Sequence, residues 1–180
     1  MQRRKFLQNS SLSLAAMSTL TAMAQSNAKP FVVKNGDSRF GEKTILGGKS
    51  PNDIKISSKD TDGLLTVFEY TGNEKGGPPL HIHLFQDEIF FILEGKYLFH
   101  VGDEKHTLSV GDIIFLPRNV PHAFAQLTDS GKMLFFFQPS GKMEDYFKAL
   151  GSLKGKPSPQ EGAKLFETHD MKVVGPPLSY

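Results

Sequence analysis

The sequence predicts an all-β fold, a small barrel of short strands with short helices at its C-terminal end. Eight runs of four to eight residues, rich in Val, Ile, Leu and Phe, are punctuated by Gly, Pro, Asn and Asp between residues 64 and 138. Phe is over-used at fifteen residues while Trp is absent, and Phe90, Phe91, Phe99, Phe115, Phe124, Phe135, Phe136 and Phe137 all fall on those runs. Bulky aromatics at strand positions fill a narrow barrel. Three His and one Glu are spaced so that strands from separate parts of the chain bring them together.

In chain order, Arg3-Arg4-Lys5-Phe6-Leu7 and a mild apolar stretch from Leu12 to Ala22 lead to Ala22-Met23-Ala24. That pattern is similar to a twin-arginine export signal ending in an A-X-A cleavage site, so residues 1–24 are expected to be removed. The stretch is too short and too rich in Ser and Thr to serve as a stable membrane anchor. Residues 25–61 read as a lead-in with strands near Thr44–Leu46 and Asp53–Ser57, broken by Gly47-Gly48 and by Ser50-Pro51-Asn52. The barrel core is expected over 62–140, with strands at 64–71, 79–84, 87–94, 96–101, 105–109, 112–116, 122–128 and 132–138, and tight turns at Gly95-Lys96 and Gly102-Asp103. The last segment, 141–180, is read as helical. Met143, Phe147 and Leu150 recur at helical spacing ahead of Gly151, and Ser158-Pro159-Gln160-Glu161 offers a capping box with Pro at the first helical position.

The chemistry concentrates in His81-X-His83-X4-Glu88-X6-Gly95 and Gly111-X5-Pro117-X4-His122. Residues two apart on a strand face the same side about 6 to 7 Å apart, so His81 and His83 make a two-toothed claw for one ion. Glu88 opens the next strand after a short turn, beside the claw, and His122 arrives from a distant strand. With this chain's own residue frequencies the seven fixed positions arise by accident on the order of a few times in a million, which removes chance as the explanation. One divalent metal per chain is expected, in a reactive or a closed site, and the other reading open here is a set of hydrogen-bonded pocket residues. Four protein ligands close a tetrahedral zinc shell, whereas an octahedral ion keeps two positions open for water or substrate. His100 and His106 read as strand-face residues and His169 as a helix-end cation.

These two blocks resemble the two motifs of the cupins, G-X5-H-X-H-X3,4-E-X6-G and G-X5-P-X-G-X2-H-X3-N, over about residues 62–140. The wording Gly-Gly-Pro-Pro-Leu-His-Ile-His, Leu-Glu-Gly and Val-Pro-His-Ala-Phe looks most like the quercetin-dioxygenase-like branch. The resemblance implies a double-stranded β-helix, or jelly-roll barrel, with His81, His83, Glu88 and His122 on the metal-ligand positions. It also implies a small-molecule substrate and a homodimer. Three positions depart from the pattern. Gly76 stands five residues before His81, Asn119 takes the place of a Gly and should tolerate the positive φ, and Gln126 stands for Asn. Phe90 and Ile92 share the face of Glu88, and Phe124 and Gln126 share that of His122, which makes these four the candidate substrate-pocket residues. For Gln126 a satisfied core amide and a substrate contact are both open. Phe91 and Leu93 point the other way and suggest a subunit contact.

The chain carries 21 basic and 19 acidic residues, and loss of Arg3, Arg4 and Lys5 with the leader would leave 18 basic, so the mature protein is near neutral. It offers no basic stripe for nucleic acid. Cysteine is absent, which rules out a lipobox and disulfides. Substrates of the twin-arginine machinery cross folded, so the metal is loaded before export to the periplasm or beyond. That order favours Fe or Mn, which a site filled in the periplasm would lose to Cu or Zn; Ni remains a further option. The expected function is a dioxygenase or related oxidoreductase acting on a small hydroxylated aromatic or dicarbonyl compound. Glu88 would serve as fourth ligand or as the base that takes the substrate proton. The alternatives are a non-catalytic binding cupin and a metal-dependent isomerase or lyase.

Overall fold

Alternation along the apolar runs sets the architecture. In β5 (Asp87–Glu94) Glu88, Phe90 and Ile92 are buried while Asp87, Ile89 and Phe91 are half-buried, and β10 (Gly131–Gln138) alternates in the same way, with Met133, Phe135 and Phe137 inward. A strand that hides every second side chain needs a facing layer, and two antiparallel sheets supply it. The computed structural model describes residues 29–180, so the leader at 1–24 lies outside the described residues.

One sheet has six strands in the order β1 (Ile45–Leu46), β2 (Ser50–Ile56), β3 (Thr66–Gly72), β10, β5, β8 (Ile113–Leu116). The other has five, β11 (Met171–Pro177), β4 (Pro79–His83), β9 (His122–Gln126), β6 (Tyr97–Val101), β7 (Glu104–Leu108). Consecutive strands switch repeatedly between the layers, which is the jelly-roll arrangement. Aromatic rings fill the space between them. Phe68 stacks on Phe135 at 5.0 Å and meets Phe137 at 6.1 Å and Phe147 at 4.9 Å, while Phe90 packs on Phe99, Phe124 and Phe135.

Val101 pairs with Glu104, which leaves Gly102-Asp103 as a two-residue hairpin loop, as predicted. Gly95-Lys96 is different, because β5 and β6 belong to opposite sheets and the chain crosses between layers there. Gly95 makes that crossing at φ +86, and a Cβ on it would lie 2.6 Å from Thr128 Oγ1 and 2.9 Å from the Ser130 carbonyl oxygen. Gly95→Ala therefore combines a left-handed backbone with a steric clash, and we expect a loss of about 1–3 kcal/mol in urea unfolding. Asn119 adopts φ +63, the conformation expected where the family pattern has Gly.

The lead-in and the tail both differ from expectation. Ser50-Pro51-Asn52, read as a break, begins β2, and Pro51 lies opposite Ile45 of the two-residue β1, ahead of the ladder with β3 that starts at Asn52. At that place a missing N–H costs little. In the tail, α1 (Met143–Gly151) and α2 (Pro159–Thr168) form where predicted, and the Ser158–Glu161 capping box is present. Segment 141–180 is not purely helical, however, because β11 pairs antiparallel with β4, setting Met171 opposite His83 and Val173 opposite His81. That strand covers the sheet edge carrying two of the candidate ligands.

Candidate metal centre

Strand register builds the centre. His81 on β4 lies directly opposite His122 on β9, and their rings are 4.5 Å apart; His83 follows two residues on, on the same inward face. Glu88 reaches them from the other layer. The sequence places it beside the claw on the returning strand, but β5 does not pair with β4, and its carboxylate projects across the barrel from the six-stranded sheet. The four side chains thus span both sheets, and all four are buried, from 1 to 6 % exposed.

Their polar atoms are arranged for an ion. One ligand atom from each residue lies within 4.8 Å of the others, and ligands about 2.1 Å from a shared ion stand 3 to 4.2 Å apart. His81 Nδ1 is 2.8 Å from the Pro79 carbonyl oxygen and His122 Nδ1 is 2.9 Å from that of Val120. Each ring can therefore donate Nδ1–H to the backbone, which fixes the tautomer and turns a lone pair at Nε2 inward. Glu88 Oε2 approaches His122 Nε2 at 3.2 Å and His83 Nε2 at 3.5 Å, yet these contacts lack hydrogen-bond geometry. Glu88 Oε2, His122 Nε2 and both His83 ring nitrogens remain buried without a hydrogen-bond partner. Orphaned polar atoms that converge on one point are costly in an apolar interior, and a divalent cation satisfies them together.

The electrostatics agree with the geometry. Burial, then the neighbouring His122 and His83, hold the His81 imidazole well below its usual value, so it stays neutral. Burial pushes the Glu88 carboxyl up, but His122 and His83 outweigh it and bring it down to about 2. Neutral imidazole and ionised carboxylate are the forms a metal requires.

A cavity of about 740 Å³ opens on the four residues, a size suited to a small molecule. Phe90 and Phe124 line it as predicted pocket residues, with Phe99, Phe135, Phe137 and Phe147. Two other pocket candidates do not reach it. Ile92 is wholly buried in the core, and the Gln126 amide is committed elsewhere, accepting from Tyr97 Oη at 3.3 Å and donating to the carbonyl oxygens of Gly72 and Thr128. Both are buried, on inward faces as expected, but neither lines the cavity. The roof comes from the C-terminal segment, where Met143, Tyr146, Phe166 and Met171 complete the lining and the Phe166 ring stands 5.1 Å from His81. Helical spacing in segment 141–180 gives no sign of this place at the site.

The comparisons with known proteins fit this geometry. The cupin domain family matches residues 67–137, the stretch that carries all four ligands. The two-sheet jelly roll built around residues 67–137 has the cupin fold. Quercetin 2,3-dioxygenase of Bacillus subtilis (strain 168) is 21% identical over 123 residues, covering 68% of this chain and 35% of that protein. The chain spans only about a third to a half of the curated relatives it matches. Among solved structures, KdgF from Halomonas sp. superposes with a TM-score of 0.53 at 17% identity, covering 62% of this chain and 94% of that one. A predicted oxalate decarboxylase of Thermotoga maritima gives 0.52 at 17% identity, covering 61% and 99%. At such identities the likeness is one of fold, and the cupin architecture itself serves many chemistries.

Proposed function

We propose that this cupin is a metal-dependent oxidoreductase of the quercetinase type, acting on a small hydroxylated aromatic or dicarbonyl compound. The observation that carries this reading is the convergence of three imidazoles and a carboxylate at an aromatic-lined cavity, with polar atoms of His83, Glu88 and His122 left without a hydrogen-bond partner. The similarity to the Bacillus subtilis quercetin 2,3-dioxygenase supports the reaction class. A divalent ion bound by His81, His83, Glu88 and His122 would supply Lewis acidity toward a substrate oxygen, with Fe or Mn as the preferred ions. The chain's own part is to orient and to exclude water. Phe90, Phe124 and Phe166 enclose the substrate's apolar body, and the Glu88 carboxylate, ionised at neutral pH, serves either as the fourth ligand or, swung off the ion, as the base that takes a hydroxyl proton.

The same reading has the protein exported through the twin-arginine machinery with its metal already in place, and working in the periplasm or beyond as a homodimer. Support for pairing comes from the outward side of β5 and β8, where Leu93 is 37 % exposed, Ile113 65 % and Phe115 55 %.

Protein reconstituted with Fe(II) or Mn(II) and screened against phenols and diketones should consume dioxygen in step with substrate loss, and should stop under nitrogen. Turnover that continues under nitrogen would make it an isomerase or lyase. Tight retention of a compound without turnover would make it a binding protein.

A further inference from the structure

We propose that the Tyr146 hydroxyl is the hydrogen-bond donor that recognises the ionised oxygen of a small molecule held in the cavity. Tyr146 lies on α1, past the last residue of the cupin match, and lines the same cavity as the four ligands. Its ring is 6 % exposed and is locked edge-on by Phe147 at 5.0 Å, Phe166 at 5.2 Å and His169 at 5.7 Å. A buried Tyr hydroxyl almost always has a partner. This one makes no hydrogen bond to another described residue, and its side chain lines the cavity. The ring is thus fixed by packing while its one polar atom is left for whatever occupies the cavity.

Chemistry narrows what that occupant is. A free phenol keeps its proton at neutral pH, and burial, followed by the Glu88 charge, raises this one further. Tyr146 is therefore a donor, best matched to an acceptor with negative charge, such as the enolate or phenolate oxygen of the substrate class proposed above, on which this inference rests. Phe166 links the two halves of the site, with one edge against Tyr146 and the other against His81, so the donor's position is tied to that of the ligands.

The test is binding, measured without turnover. Zinc is redox-inert, so zinc-loaded wild-type and Tyr146→Phe proteins are titrated with 4-nitrocatechol, whose visible absorption reports ionisation and binding. Zinc content and melting temperature are measured alongside. The substitution removes one oxygen and keeps the ring, so we expect unchanged zinc content and a dissociation constant raised about tenfold to a hundredfold, the range for a hydrogen bond to a charged group. Equal affinity in the two proteins overturns the role of Tyr146 while leaving the proposed function intact. Loss of zinc in the variant also overturns it, since the phenol would then be supporting the ligands instead of the occupant. Failure of the wild type to bind 4-nitrocatechol overturns both the inference and the substrate class beneath it.

Discussion

His83→Ala is expected to abolish stoichiometric metal binding, weakening affinity by at least about 100-fold. That figure is a lower bound, since removal of a group that merely orients a ligand costs 10- to 100-fold. His83 is 1 % exposed, stacks on the His122 ring at 5.3 Å, approaches the Glu88 carboxylate at 3.5 Å, and has both ring nitrogens without a hydrogen-bond partner. Among the described residues no other His, Asp or Glu belongs to the cluster. Its loss leaves three ligands and a hole facing Phe137, whose ring is 5.2 Å away. Stability carries the same signal, because an ion that binds only the folded state stabilises it by about 4 kcal/mol at a thousandfold excess over its dissociation constant. Chelation should lower the melting temperature of the wild type and leave that of the variant unmoved. Isothermal titration with Mn(II) and thermal melts with and without chelator check both halves of the expectation.

Phe68→Ala is expected to give the largest loss of stability in the barrel, about 3–5 kcal/mol, or a fall in melting temperature of about 6–20 °C for a chain of this length. Phe68 is 1 % exposed on β3, opposite Ile54 on one side and Phe135 on the other. Its ring touches Phe135, Phe137 and Phe147, so it joins the six-stranded sheet to α1. Truncation leaves a void between rigid rings, and rings held by three neighbours collapse poorly into it. Because α1 also carries Tyr146, the variant should loosen the cavity roof as well as the core. Urea unfolding of metal-free protein separates the core term from any change in metal affinity.

Much of this was legible in the sequence for physical reasons. Alternation with a period of two gave β5 its bounds and put Glu88, Phe90 and Ile92 on one face. The spacing of His81, His83, Glu88 and His122 implied convergence before any strand pairing was known, and the structure brings those four together. Local rules with a single mechanism also held, as in the Ser158–Glu161 capping box, the Gly102-Asp103 hairpin and the positive φ of Asn119.

The failures share a cause. Periodicity fixes which face a residue takes but not what surrounds it there, so Ile92 and Gln126 are buried inward yet do not line the cavity. It cannot say which sheet a strand joins, hence Glu88 crossing the barrel instead of standing beside the claw, and Gly95 marking a crossover. Strand β11 contains Gly175, Pro176 and Pro177, which carry no strand signal of their own, and it lies in a segment read as helical; pairing along the edge of β4 makes it a strand. Tyr146 fits the apolar stripe of Met143, Phe147 and Leu150, so its hydroxyl carried no signal in the sequence. Its position at the roof of the site depends on how α1 docks, which is a tertiary property.

The measurement that bears most directly on the central claim is elemental analysis of the full chain, never refolded and purified without immobilised metal. One divalent ion per chain, iron or manganese, is the predicted result. A protein that emerges without metal, and that stays metal-free after incubation with excess Fe(II), Mn(II) and Zn(II) under nitrogen, would contradict it, and the four buried side chains would then have to be explained as a polar core.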